Sequence, residues 1–265
     1  MNGQTDKGVT RSNNEDSIGT EPSQGLMVLA DGMGGYKAGE VASAIAVATI
    51  MSDLDQKLSA LSTDIASITH ACTHSVLLKD AINKANVAIF NAAESQANYK
   101  GMGTTLVAAL FYNNRIILAH VGDSRAYRYR DKKLVQMTRD HTLLQELVDR
   151  GFYTADEARK SLNKNLVTRA MGIEPTVQID IEEDLALEND IYFLCSDGLT
   201  DMLEDNEIHL TLNEFGDNLQ VTGEKLIAKA NEKGGMDNIS VILTKVAAPF
   251  PAKPGWLDKL VNWLN

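Results

Sequence analysis

The sequence predicts an α+β fold, built as one domain with a short tail. Three observations predict it: two long apolar helical stretches in the first hundred residues, a change to strand periodicity after Gly103, and no proline-rich or low-complexity seam before Ala247. A chain of 265 residues buries enough surface to need no disulfide staples. The boundaries read from it are a domain over residues 1–247 and a tail over 248–265.

The first segment, Lys7 to Gly19, is polar and holds Arg11, Asn14, Glu15 and Asp16. Adjacent acids usually face solvent, but this segment is too short for a helix and borders β-compatible residues, so a site stays open without being established. Met27 to Ala30 reads as a short strand ending at Asp31, followed by a turn with Gly32, Gly34 and Gly35. The turn is neither a dinucleotide fingerprint, because Lys37 stands where the third glycine belongs, nor a P-loop, because no Gly-Lys-Ser/Thr enters the helix. Val41 to Leu54 is an alanine-rich helix, and Ser75 to Ser95 a longer one with Leu77, Leu78, Ala81, Ile82, Ala85, Ile89 and Phe90 at helical spacing. Between them His70 and His74 lie four apart without a third ligand nearby.

From Gly103 the period becomes two. Thr104 to Tyr112, Arg115 to Val121, Arg125 to Arg130 and Lys133 to Met137 read as a meander of antiparallel strands. Arg139 to Gly151 reads as helix, and Phe152 to Arg169 as a polar surface segment. Strand character returns at Thr176 to Glu182 and Asp190 to Ser196. An amphipathic helix over Asn218 to Glu232, a glycine-rich turn to Asn238, and a strand over Ile239 to Val246 close the domain. In the tail, Pro249, Pro251 and Pro254 form a stiff linker, and Trp256, Leu257, Leu260, Val261 and Leu264 follow at helical spacing. Docking onto its own domain, a protein partner and a membrane surface are all open for it.

A formal charge of −11 argues against nucleic acid, whose binding rests on neutralising phosphates with Lys and Arg. Cys72 and Cys195 are too few and too separated for a disulfide framework or a zinc site. No signal peptide and no apolar run of about 18 residues is seen. A soluble, cytoplasmic protein is expected.

Carboxylates recur beside or within two residues of glycines at strand ends: Asp31, Asp123, Asp197 and Asp237. If the strands form packed sheets, all four can reach one edge, joined by Glu15 and Asp16. Close carboxylates repel and raise one another's pKa values, and hard divalent cations relieve this. With no histidine or cysteine in these turns, magnesium or manganese is favoured over zinc.

An ordered set of motifs carries a family resemblance over residues 4–246: Arg11–Asp16 (RSNNED), Ala30–Gly35 (ADGMGG), Ala38–Glu40 (AGE), Gly101–Thr105 (GMGTT) and Val121–Tyr127 (VGDSRAY). Thr138–His141 (TRDH), Leu166–Gly172 (LVTRAMG), Cys195–Gly198 (CSDG) and Gly235–Ile239 (GMDNI) follow. The chain resembles the metal-dependent protein phosphatase 2C-like (PPM) serine/threonine phosphatases in their compact bacterial form. The resemblance implies a four-layer α-β-β-α sandwich, two antiparallel sheets flanked by antiparallel helix pairs. By position it implies that Asp31 bridges two Mn2+ or Mg2+ ions, that the Gly32 carbonyl joins one, and that Asp197 and Asp237 ligate the other. It further implies that Glu15 and Asp16 hold metal-bound waters, that Asp123 with Asp197 holds a third, weaker ion, and that Arg11 grips the substrate phosphate.

The implied reaction is direct in-line attack on phosphoserine or phosphothreonine by a hydroxide bridging two ions about 4 Å apart, with Arg11 and the ions stabilising the equatorial oxygens. Where some relatives carry a histidine as general acid, this chain has Met33. His141 is expected to orient its turn. A flap over about residues 143–170 includes Asn165, a candidate contact to the third ion. The expected partners are phosphorylated proteins, a serine/threonine kinase and its substrates among them, and the expected state is a monomer. Two other readings are a catalytically silent phosphoprotein-binding pseudo-phosphatase and a small-molecule phosphatase.

Overall fold

The computed structural model describes residues 1–35, 38–63, 71–154, 157 and 166–251. His70, Asn165 and the tail from residue 252, Trp256 included, lie outside them. One antiparallel sheet contains, in spatial order, β1 (Asn2–Asp6), β11 (Ile239–Lys245), β10 (Ile191–Cys195), β7 (Arg125–Arg130) and β8 (Lys133–Gln136). The other runs β2 (Asp16–Glu21), β3 (Leu26–Met33), β5 (Leu106–Tyr112), β6 (Arg115–Val121) and β9 (Asp180–Leu185), with the short β4 (Gly103–Thr104) on the end of β3.

The continuous apolar run of β3 follows from burial of both its faces. Met27 and Leu29 meet Tyr192, Leu194 and Ile242 between the sheets. Leu26, Val28 and Ala30 point the other way, onto α1 (Ala38–Thr63) and α2 (Ala71–Ser95). Alanines at Ala38, Ala42 and Ala46, all at most 1% exposed, let α1 approach its neighbours closely before Ile50 and Leu54 fill the wider space. Across the molecule, α5 (Asp205–Phe215) and α6 (Leu219–Glu232) cover the first sheet with Ile208, Leu212, Leu226 and Ala230. Each fully buried Leu or Ile contributes about 1.5–3 kcal/mol. The layers are therefore helix pair, sheet, sheet, helix pair, as the resemblance implied.

The meander is corrected. Strands β5 and β6 pair with each other, and β7 pairs with β8, but β6 and β7 belong to different sheets. The turn Gly122–Asp123–Ser124 carries the chain from one layer to the other. Alternation alone marks strands and does not say which neighbour a strand takes.

Other bounds shift for local reasons. β3 continues through Asp31 and Gly32, because both pair across the sheet, to Asp16 and Thr104. Helix forms only over α3 (Leu143–Asp149), capped by Thr142 Oγ1 on Gln145 N. Upstream, the His141 backbone is bonded to Gly122 instead. The strand expected over Thr176 to Glu182 lies at Asp180–Leu185, where it pairs with β6. Among the elements without an expectation are edge strand β1, which carries no large apolar residue, and α5, whose start is fixed by a Glu204/Glu207 capping box. Beyond β11, Phe250 still packs against Phe111, and its N–H donates to Asn114 Oδ1 at 2.6 Å.

Candidate active site

Period two along β3 puts Asp31 on the same side as Met27 and Leu29, between the sheets. Asp16 stands directly opposite it on β2, and such cross-strand pairs bring side chains close. From the other sheet, β10 ends at Cys195, and Asp197 begins the one-turn helix α4 (Asp197–Thr200). Asp237 lies two residues before β11. The two sheets thus deliver Asp16, Asp31, Asp197 and Asp237 to one end of the interlayer space, and the Gly122–Ser124 crossing adds Asp123.

The carboxyls feel one another. Burial raises Asp31 well above its ordinary range, and the charges of Asp16, Asp197 and Asp123 push it further. Burial, then Asp123, Asp201 and Asp237, does the same to Asp197. Asp16 is pushed up to about 6, first by burial, although Ser240 and Ser196 donate to it. Asp123 also reaches about 6, through burial and the charge of Asp140. Two oxygens, Asp16 Oδ1 and Asp197 Oδ1, are buried and receive no hydrogen bond. Orphaned, mutually repelling carboxylate oxygens without a histidine or cysteine among them are the donor set of a hard divalent cation. The residues present fit magnesium or manganese.

Several residues position these acids without being marked in advance. Ser196 and Ser240 hydroxyls donate to Asp16 Oδ2 at 2.9 and 2.6 Å. Asn238 Nδ2 donates to the carbonyls of Lys7 and Asn13, and its Oδ1 accepts from Glu15 N, so one side chain pins the loop that carries Arg11. Asp201, one helical turn after Asp197, adds a further negative charge. Ser196 and Asn238 stand inside the CSDG and GMDNI motifs, the available signal for them. Ser240 and Asp201 fall just outside any motif.

Gly32 has no room for a side chain, since a Cβ would lie 2.1 Å from the Gly39 carbonyl oxygen and 2.6 Å from that of Glu15. Its N–H donates to Glu15 O at 3.1 Å. Glu15 is partly buried with its pKa raised by burial, and its carboxylate faces Gly39 at the rim of the cluster. Arg11 remains 54% exposed, and its Nη2 is bonded to Asp237 Oδ2 at 2.7 Å. The guanidinium therefore stands beside the acids, engaged by one of them.

His141 orients its turn as expected: its Nδ1 accepts from Gly122 N at 3.1 Å, and its own N–H donates to Gly122 O at 2.9 Å. Burial holds its imidazole down to about 4. His120, His141 and Asp180 also offer ligand atoms within 4.8 Å of one another. A neutral histidine whose Nδ1 accepts carries its proton on Nε2, which removes the lone pair a metal needs. Arg169 Nη1 already occupies Asp180 Oδ1 at 2.8 Å. This cluster is satisfied as a hydrogen-bonded unit, and the acid cluster is the candidate metal centre.

Comparison with known proteins bears on the family and the fold. The Protein phosphatase 2C family matches residues 7–232. A protein named serine/threonine phosphatase stp, from Listeria welshimeri, is 38% identical over 244 residues, covering 91% of this chain and 93% of its own. Serine/threonine protein phosphatase PstP of Mycobacterium tuberculosis is 38% identical over 247 residues, 91% of this chain but 44% of that longer protein. The crystal structure of the Mycobacterium tuberculosis phosphatase PstP/Ppp superposes with a TM-score of 0.81 at 36% identity, covering 92% of this chain and 97% of that one. A second PstP catalytic-domain structure, described as a complex with two manganese ions, gives a TM-score of 0.77 at 36% identity over 92% and 96% of the two chains. The silent, binding-only reading finds no support among these relatives or in an acid set that is complete. With fold, acid cluster and relatives in accord, the chain belongs to the protein phosphatase 2C family of metal-dependent serine/threonine phosphatases.

Proposed function

We propose that this phosphatase acts in the cytoplasm, as a monomer, on phosphoserine and phosphothreonine of a serine/threonine kinase and that kinase's substrates. The observation that carries the catalytic assignment is the cluster of buried Asp16 with half-buried Asp31 and Asp197, and its two orphaned oxygens. No helix among the described residues is long and apolar enough to cross a membrane.

Asp31, Asp197, Asp237 and the Gly32 carbonyl would hold two Mn2+ or Mg2+ ions, with Asp123 and Asp197 as the place for a weaker third. When bound, such ions supply an activated water at neutral pH and charge to balance the phosphoryl oxygens. The chain's own part is to hold ligands still and to bind phosphate. Ser196 and Ser240 fix Asp16, leaving Oδ1 free to orient water in the centre. Thr105 fixes Asp31 by accepting from its N–H and donating to its carbonyl. Arg11, held at the rim by Asp237, exchanges that carboxylate for the planar, bidentate contact a phosphate monoester offers. His141 does not act as the proton donor, because both ring nitrogens are committed inside the fold. Cys195 is buried and its thiol raised by burial, so it is not placed to act as a nucleophile.

The test is phosphate release from a phosphothreonine peptide and from small phosphate esters, with manganese, with EDTA, and with Asp197→Ala. Manganese-dependent release from the peptide, lost with EDTA and in the variant, is expected. Efficient turnover of free esters alone would favour a small-molecule phosphatase.

A further inference from the structure

We propose that His141 is a positioning residue for the metal centre: it fixes the Gly122–Asp123 turn and ties it to both ends of the 142–168 segment. The proposal rests on the metallophosphatase reading, and specifically on Asp123 belonging to the metal centre.

The turn needs fixing. Gly122 adopts φ +103°, a conformation open to glycine, and a Cβ there would lie 2.7 Å from Thr105. It is also the point where the chain leaves one sheet for the other, so no strand ladder continues through Asp123. His141 supplies what the ladder does not, a reciprocal pair of hydrogen bonds to the N–H and carbonyl of Gly122. On its other side the His141 carbonyl accepts from Thr168 N at 2.8 Å, Thr142 bridges Val167, and Leu143 N donates to Leu166 O at 3.0 Å. The beginning and end of the segment therefore meet at His141.

The tautomer is set by the Gly122 N–H; Arg169 Nη1, also a donor, lies 3.2 Å from Nε2 and is not its hydrogen-bond partner while Nε2 carries the hydrogen. Accepting at Nδ1 leaves the hydrogen on Nε2, which faces Asp180 Oδ2 at 3.3 Å. Asp180 Oδ1 in turn accepts from Arg169, at the segment's end. His120 stacks on the ring at 4.5 Å and is itself held by the Arg139 carbonyl. Beyond the turn, Ser124 Oγ and Thr105 Oγ1 are bonded at 2.8 Å, and Thr105 holds the backbone of Asp31. A displaced Gly122 would thus disturb Asp123 first and Asp31 through Thr105.

Three variants separate the roles of the ring. His141→Asn puts an amide oxygen where Nδ1 stands but falls short of Asp180. His141→Gln puts its amide near Nε2 and leaves Gly122 N–H without its acceptor. His141→Ala removes both. The readouts are Mn2+ binding to the purified protein by calorimetry, resolved into tight and weak sites, and hydrogen exchange of the Gly122 amide. Kinetics with a phosphothreonine peptide are run in parallel. Loss of a residue that orients a ligand typically weakens metal affinity about 10- to 100-fold. Expected are a weak site at least about tenfold weaker and faster Gly122 exchange in the Ala and Gln variants, with the Asn variant close to wild type in both. A folded Gln variant with wild-type Mn2+ affinity overturns the proposal, as does an Asn variant no better than Gln. If Ala fails to fold, the Asn–Gln comparison still decides. Absence of manganese-dependent turnover in the wild type would instead remove the metallophosphatase reading beneath it.

Discussion

Replacing Asp16 by asparagine is expected to stabilise the metal-free protein and to reduce its response to manganese. Asp16 is 8% exposed, and its carboxyl is raised from 3.8 to about 6, chiefly by burial. The folded state therefore binds the proton more tightly than the unfolded chain, and stability falls as pH rises through the folded value. The cost of ionisation is absent below about pH 3.8 and complete above about pH 6. At about 1.4 kcal/mol per pKa unit it amounts to roughly 3 kcal/mol at pH 7.5 and about half of that at pH 5. Asparagine keeps both serine hydrogen bonds on its amide oxygen, in the place of Oδ2, and turns an N–H donor toward the remaining carboxylates. For a domain of this size about 2–4 °C of Tm follows each kcal/mol, so Asp16→Asn should melt about 6–12 °C higher in EDTA at pH 7.5, and gain about half as much at pH 5. In saturating manganese the advantage should shrink or reverse. Scanning calorimetry at both pH values, with EDTA and with manganese, tests each arm. A lower Tm in EDTA at pH 7.5, or an equal gain at both pH values, would refute the repulsion argument.

For the wild type, manganese at about a hundred times its Kd should stabilise by about 2.7 kcal/mol per site, and EDTA should abolish the gain; a melting curve indifferent to both would count against the centre. Arg11→Ala should lower kcat/KM on a phosphothreonine peptide about 10²-fold, with Arg11→Lys recovering part, because a point charge cannot reproduce the fork. Steady-state kinetics with an unchanged kcat/KM would remove Arg11 from phosphate binding. Arg130→Met should cost about 3 kcal/mol in urea unfolding, since Asp190, 1% exposed, loses a bidentate partner at 2.7 Å on each oxygen. A loss below about 1 kcal/mol would mean that Leu187 N–H and the Tyr192 hydroxyl satisfy it unaided.

Asp31, Asp123, Asp197 and Asp237 were legible in the sequence because each stands beside or within two residues of a glycine at a strand end, and Glu15 and Asp16 because they stand together in a short polar segment. Their partners were not. That Asp16 faces Asp31 is a fact of register, and register depends on which strands pair. Ser240 reads as one more small residue in a buried strand until the second sheet brings Asp16 to it. The Gly122 turn looked like a hairpin, since a glycine, an aspartate and a serine between two β-runs satisfy hairpin chemistry. Only the inner faces of the two sheets, with Met27 and Leu29 of one closing on Tyr192, Leu194 and Ile242 of the other, decide that it crosses instead. His141 was legible as a turn residue, but not that its Nδ1 is the acceptor for Gly122.

The crossing explains why this site can exist at all. Asp31 belongs to one sheet, and Asp197 and Asp237 flank the ends of strands of the other, so their repulsion acts across the interface that buries Met27, Leu29, Tyr192 and Ile242. Uncompensated, the cluster pushes apart the two layers whose packing creates it. An ion held between Asp31 and Asp197 would reverse that sign and join the layers at the same point. The apolar interface must then be strong enough to bring like charges together before any cation arrives, and the cation completes a junction that packing alone leaves strained. Chelation should accordingly loosen the interlayer end carrying Asp16 and Asp31 before it affects the helix-covered outer faces. Amide exchange at β2 and at the start of β11 should rise first on adding EDTA, and uniform loss of protection across both sheets would contradict this order.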